Sequence, residues 1–166
     1  MIAVVDTNVP IVANGKRSPQ ASLECVATCA RRLDALMKTG KLVLDDGWLI
    51  LNEYKKHLRS SGQPGPGDAF LKWVLTNRRN PNRCELVTIT PHGSDPNNFV
   101  EFPPDPRLNG FDPADRKFVA VSRARLPHPP ILQAVDPGWW KFRKVLAENG
   151  VTTEFLCEAD IRRYRV

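Results

Sequence analysis

Two apolar runs in this chain each end on an acid. Ile2-Ala3-Val4-Val5 stops at Asp6, with Thr7 and Asn8 directly after it, and Ile131-Leu132-Gln133-Ala134-Val135 stops at Asp136. A short run of β-prone or small residues ending in a carboxylate reads as a buried parallel strand that carries the acid to the C-terminal edge of a sheet. That edge is where open α/β sheets bind ligands. One acid at a strand end is ordinary. Two at the same edge, with further acids on helices between them, point to a metal site.

The intervening acids have two readings each. Glu53 lies in Trp48-Leu49-Ile50-Leu51-Asn52-Glu53-Tyr54 and interrupts an otherwise apolar helix side, which makes it either a site acid or a surface glutamate. Asp45 and Asp46, just before that helix, read as caps. In Phe111-Asp112-Pro113-Ala114-Asp115-Arg116-Lys117-Phe118-Val119-Ala120-Val121, Asp112 is a good N-cap because Pro113 suits the first helical position. Asp115 then falls third, where it either closes a capping box in favour of the helix dipole or serves the site. Asp136 could cap a helix begun by Pro137, and Asp6 could satisfy a turn.

These acids need a scaffold. Strands are expected at about 2–5, 41–44, 85–89, 131–135 and 152–156, and helices near 19–38, 47–60, 68–76, 113–125 and 138–148. Gly40 and Asn149-Gly150 close two of those helices. Alternation of apolar strands with helices predicts an α/β fold with a parallel sheet covered on both faces, a three-layer α/β/α sandwich. Residues 61–67, Ser-Gly-Gln-Pro-Gly-Pro-Gly, form a connector between helices rather than a domain boundary. The stretch from Pro91 to Pro113 is rich in proline and lacks periodicity, so it reads as a long loop near the active edge, functional or mobile.

At 166 residues the chain fits one domain, 1–166, large enough for a core of its own. No apolar stretch approaches the ~20 residues of a membrane span, and the N-terminus carries no secretory pattern. Cys25, Cys29, Cys84 and Cys157 therefore read as reduced thiols of a cytoplasmic protein. Cys25 and Cys29 share a helix face, but a second pair at metal spacing is missing, so core thiols are expected. The net charge of +6 gathers in Arg78, Arg79 and Arg83; Arg116 and Lys117; Lys141, Arg143 and Lys144; and Arg162, Arg163 and Arg165. Such clusters attract phosphate chains or are simply solvated faces.

Taken in order, Val4-Val5-Asp6-Thr7-Asn8, the helix with Glu53-Tyr54, Asp115 to Val121, Ala134-Val135-Asp136 and a last strand Thr153-Glu154-Phe155-Leu156 resemble the PIN-domain ribonucleases over nearly the whole chain. The resemblance implies a five-strand sheet of order 3-2-1-4-5 and cleavage of single-stranded or structured RNA at a carboxylate pocket holding Mg²⁺ or Mn²⁺. Carried over by position, the metal and catalytic acids are Asp6, Glu53, Asp115 and Asp136. Asn8 matches a polar residue that often supports the first of them. Asp112, the cap just before Asp115, is expected to support the site as well, and the basic pair Arg116 and Lys117 beside Asp115 is expected to meet RNA. Gly138 stands where members often carry a second acid. A toxin role with an antitoxin protein is an expectation of the same resemblance, and a homodimer is a separate expectation. Trp139-Trp140 and the helix from Ser18 to Lys38 are either that partner surface or core.

Mg²⁺ takes oxygen ligands and keeps waters, so no side-chain nucleophile is required. His57, His92 and His128 have no clear partner and read as surface residues. A phosphatase with a covalent aspartate would need a second aspartate at position 8, which is Asn8. A dinucleotide fold would need glycines after the first strand. The stronger rival is a catalytically weak or inactive PIN-like RNA-binding or scaffold protein.

Overall fold

The computed structural model describes residues 1–15 and 21–164. Five strands, β1 (Ile2–Val5), β2 (Lys41–Asp45), β3 (Cys84–Val87), β4 (Ile131–Gln133) and β5 (Thr153–Phe155), form one sheet of order β3-β2-β1-β4-β5. Every neighbouring pair is parallel, with Ala3 opposite Leu42 and Val4 opposite Ile131. The helices α1 (Asn8–Ala13), α2 (Leu23–Thr39), α3 (Leu49–His57), α4 (Pro66–Asn77), α5 (Arg116–Ala124), α6 (Pro137–Glu148) and α7 (Glu158–Tyr164) pack on both sides of it. Burial on both faces is why the central strands carry no alternation: Ala3, Val4, Val5, Leu42, Val43, Leu44, Ile131 and Leu132 are all fully buried. The expected α/β class, sheet order and layering are those observed.

Local chemistry explains where boundaries moved. β4 stops at Gln133, two residues short of the expected end, because side chains take over the next amides. Gln133 Oε1 accepts from Ala134 N at 2.9 Å and Asn8 Oδ1 accepts from Val135 N at 3.0 Å. The helix expected from 113 opens instead as a 3₁₀ turn over Pro113–Asp115, and α5 follows. α2 begins at Leu23, with Ser22 Oγ accepting from Cys25 N at 3.1 Å. Ala21 and Ser22, expected in the helix, precede it as non-helical residues, and the earlier part, including Ser18, lies outside the described residues. Neither α1, which is short and holds Pro10 in its first turn, nor α7 was anticipated.

α1 and α4 meet where only glycine fits. A Cβ on Gly67 would stand 1.9 Å from Pro10 O. Asn14 Oδ1 then accepts from the amides of Gly67 and Asp68 at 2.8 and 3.1 Å, satisfying two free donors at the start of α4. The proline-rich stretch is anchored rather than loose. Phe99, Leu108 and Phe111 are buried, and the Phe111 ring meets Trp139 edge-on at 5.0 Å and Phe142 at 5.6 Å. Each such aromatic pair adds roughly 0.5–1.5 kcal/mol beyond burial.

Trp139 and Trp140 are both buried, so this pair belongs to the core. The cysteine expectation requires correction. Cys25 and Cys157 form a disulfide across 132 residues, because α2 and the segment after β5 are brought together by the sheet, a proximity that sequence spacing hides. Cys29 and Cys84 are free and buried, and burial pushes their thiols up to about 12 and about 11. Among the described residues no helix is long and apolar enough to cross a membrane.

Candidate active site

β1 pairs with β2 on one side and β4 on the other, so the chain's progress across the sheet reverses there, the position at which open sheets leave a crevice. Asp6 extends β1 into that crevice, its amide donating to Leu132 O at 3.0 Å. Asp6 is 4% exposed, and its Oδ2 accepts from Asn8 N at 3.0 Å and from Gln133 Nε2 at 2.9 Å. Burial pushes the Asp6 carboxyl up to about 7, against those two hydrogen bonds, with the charges of Glu53 and Asp136 adding to the rise.

Asp115 ends the 3₁₀ turn and makes no capping bond with its side chain, so the capping-box alternative is not realised. Burial pushes it up to about 8, and the charges of Asp6, Asp136, Asp112 and Glu53 contribute in that order. α3 brings in Glu53 because Tyr54, buried beside it, donates its hydroxyl to Val5 O and pins the helix to the end of β1. Asp136 caps α6, Oδ1 accepting from Gly138 N at 2.8 Å, while its charge still reaches Asp6 and Asp115. A Cβ on Gly138 would press on that oxygen at 3.1 Å, which gives a packing reason for glycine there.

The four acids thus share one electrostatic neighbourhood, but they do not close on a point. Among the described residues, no three of these carboxylates bring an oxygen each within 4.8 Å of one another. Glu53 is occupied instead: Oε1 accepts from Lys117 Nζ at 2.7 Å, and Oε2 accepts from the Thr7 hydroxyl. Lys117 also donates to Ala114 O, so it spans from α5 back to the 3₁₀ turn. Asp115 and Asp136 line a cleft of about 250 Å³ with Asp112, Gly138 and Lys141; Asp6 and Glu53 do not line it.

Asn8 supports the site twice, through its amide to Asp6 and its side chain to Val135. Asp112 is exposed and caps the turn through Ala114 N at 3.0 Å. Arg116 and Lys117 are neighbours in sequence but diverge in space. Arg116 donates to Asn98 Oδ1 at 2.6 Å and lies over the Phe102 ring, facing a second cleft of about 410 Å³ walled by the proline-rich stretch. Asp45 caps α3, accepting from Leu49 N and Ile50 N at 2.7 and 3.0 Å, and Asp46 accepts from the Thr88 hydroxyl. No described hydrogen bond joins His57, His92 or His128 to the four acids. Several basic clusters have partners of their own: Arg78 and Arg79 over Trp48, Arg143 over Trp140, Arg162 on Glu158 and Arg163 on Asp160. Arg165 lies outside the described residues.

Sequence reasoning missed Gln133, Thr7 and the Lys117–Glu53 ion pair. Gln133 had a readable signal, the one amide inside an apolar strand. The other two depend on which way α3 and α5 lean, for which the sequence carries no marker. Compared with known proteins, the chain matches no family model, no curated protein and no solved structure.

Proposed function

We propose that this chain is a PIN-type, divalent-metal-dependent endoribonuclease that hydrolyses RNA phosphodiester bonds at Asp6, Glu53, Asp115 and Asp136. The observation that carries the proposal is the pair of Asp6, buried at the switch point of the sheet, and Asp115, half-buried beside it, each destabilised by the charges of the other acids. Carboxylates so arranged cost the metal-free fold stability, and a bound cation relieves them. An all-oxygen donor set fits Mg²⁺ or Mn²⁺.

Asp6, held in orientation by Gln133 and the Asn8 amide, would be a direct ligand, with Asp115, Asp136 and Glu53 completing the set. When bound, the metal supplies polarisation of the phosphate and a water of lowered pKa. Glu53 must release Lys117 to join, which would leave that ammonium free to meet a phosphate oxygen, as would Lys141 at the cleft. RNA as substrate and an antitoxin as partner belong to the same reading and rest on the ordered PIN-like motifs.

The test is cleavage of single-stranded RNA by purified protein with Mg²⁺ or Mn²⁺, and its arrest by chelator. Asp6→Asn should abolish cutting with an unchanged circular dichroism spectrum. Wild-type rates from that variant would overturn the assignment. The Lys117–Glu53 contact also favours a second reading, a catalytically weak or inactive RNA-binding scaffold in which Glu53 is already held by a lysine. That reading predicts RNA binding without metal-dependent cutting.

A further inference from the structure

Away from the acids, three sulfurs meet. Cys25 and Cys29 occupy the first two turns of α2, one helical turn apart and therefore on one face. Cys157 arrives from the segment between β5 and α7. The three Sγ atoms all lie within 4.8 Å of one another, and all three residues are buried. Cys25 and Cys157 are joined, while Cys29 Sγ is 3.8 Å from Cys157 Sγ.

We propose that reduction of the Cys25–Cys157 disulfide turns Cys25, Cys29 and Cys157 into a three-thiolate site for Zn²⁺ or another thiophilic cation of its class, so that oxidation and metal binding compete for the same sulfurs.

The spacing supports this. With Zn–S near 2.3 Å, two sulfurs of a tetrahedral site stand about 3.8 Å apart. Cys29 and Cys157 already have that separation, and Cys25, freed from the disulfide, would move outward to complete the set. A core cysteine packs singly among apolar atoms; three converging sulfurs are instead the donor set that selects soft metals over Mg²⁺. A small cleft lined by Ser22, Glu24, Thr28 and Glu158 opens onto Cys25 and Cys157, giving an ion an entry path and room for a water as fourth ligand. Cys84, the remaining cysteine, sits on β3 and does not belong to the cluster.

The chemistry balances with one reductant. A water-soluble phosphine takes the oxygen of one water and becomes a phosphine oxide, and the two sulfurs take that water's hydrogens. Metal binding then releases thiol protons to solvent.

The experiment uses Cd²⁺ as probe, because thiolate-to-cadmium charge transfer absorbs in the ultraviolet and a carboxylate-bound ion gives no such band. The protein is reduced with the phosphine and titrated. The expected result is one equivalent of Cd²⁺ per reduced chain, no band in the disulfide form, and no change in Cys84→Ser. Cys29→Ser, which keeps the disulfide pair, should lose about a third of the band and at least tenfold in affinity. Cys29→Ala and Cys157→Ser, each checked by circular dichroism, repeat the test should one variant fail to fold. No charge-transfer band in the reduced wild type, or the same titration curve from folded Cys29 variants, would overturn the proposal.

Discussion

Replacing Asp6 with asparagine should stabilise the metal-free protein at alkaline pH and leave it nearly unchanged in acid. Asp6 ordinarily titrates near 3.8 but is pushed up to about 7 in the fold, chiefly by burial. Below pH 3.8 both folded and unfolded chains hold the proton, and Asp6 does not bias folding. As pH rises from there, the unfolded chain sheds a proton that the fold retains, and stability falls until pH passes the folded value. At ~1.4 kcal/mol per pKa unit, the loss attributable to this group is about 4 kcal/mol, complete by about pH 8. Asparagine has no such slope, and its Oδ1 can still accept from Asn8 N and Gln133 Nε2. For a chain of this length each kcal/mol moves Tm by about 2–4 °C. Asp6→Asn should therefore melt about 8–16 °C above wild type at pH 8 and within about 2 °C of it at pH 4, on the same conversion. Relief of Asp115 from the Asp6 charge acts in the same direction. Thermal scans in chelator across this range measure the difference, and the other titrating groups cancel within it. A variant that melts lower at pH 8, or a difference independent of pH, would refute the reasoning. Adding Mn²⁺ should close the gap by raising only wild type.

Four further outcomes follow from the same contacts. Lys117→Met removes the cation from Glu53 and should lower apo stability at pH 8 by about 1–2 kcal/mol while enlarging the Mn²⁺-induced Tm shift; an unchanged shift would mean that Lys117 does not compete with metal. Gln133→Leu strips a buried donor from Asp6 and should cost about 1–3 kcal/mol in denaturant melts, with a neutral result contradicting that role. At limiting Mn²⁺, RNA cleavage should rise with pH through about 7 to 8, since Asp6 and Asp115 must lose protons to ligate; a flat profile over that span would separate cleavage from these acids. RNA affinity should fall with salt at a log–log slope of about −0.7 per phosphate contacted, and charge reversal at Arg116 and Lys117 should reduce it.

The sheet was legible because fully buried strands leave a one-letter trace. Runs such as Val4-Val5 and Leu42-Val43-Leu44 need no alternation when both faces are covered, and glycine or proline punctuates most of the helices between them. Strand order came from the ordered motifs rather than from any run. The acids at strand ends were equally visible, since Asp6 and Asp136 break apolar segments abruptly. Long-range side-chain pairing was not visible. The Cys25–Cys157 link, the Lys117–Glu53 pair and the burial of the Phe111 region against α6 all join segments far apart in sequence, through side chains that periodicity does not rank. Asp115 marks the boundary between these cases. Its position after Asp112-Pro113 suits a cap, and only the 3₁₀ turn, which leaves its carboxylate without a capping amide, separates it from that role.

The most direct test of the account is the initial rate of single-stranded RNA cleavage against Mn²⁺ concentration, measured side by side for wild type and Asp115→Asn at pH 8. The account predicts a saturable, chelator-sensitive rate for wild type and loss of nearly all of it in the variant, with both proteins folded. Metal-dependent cutting of equal rate and equal Mn²⁺ midpoint in the two proteins would contradict it.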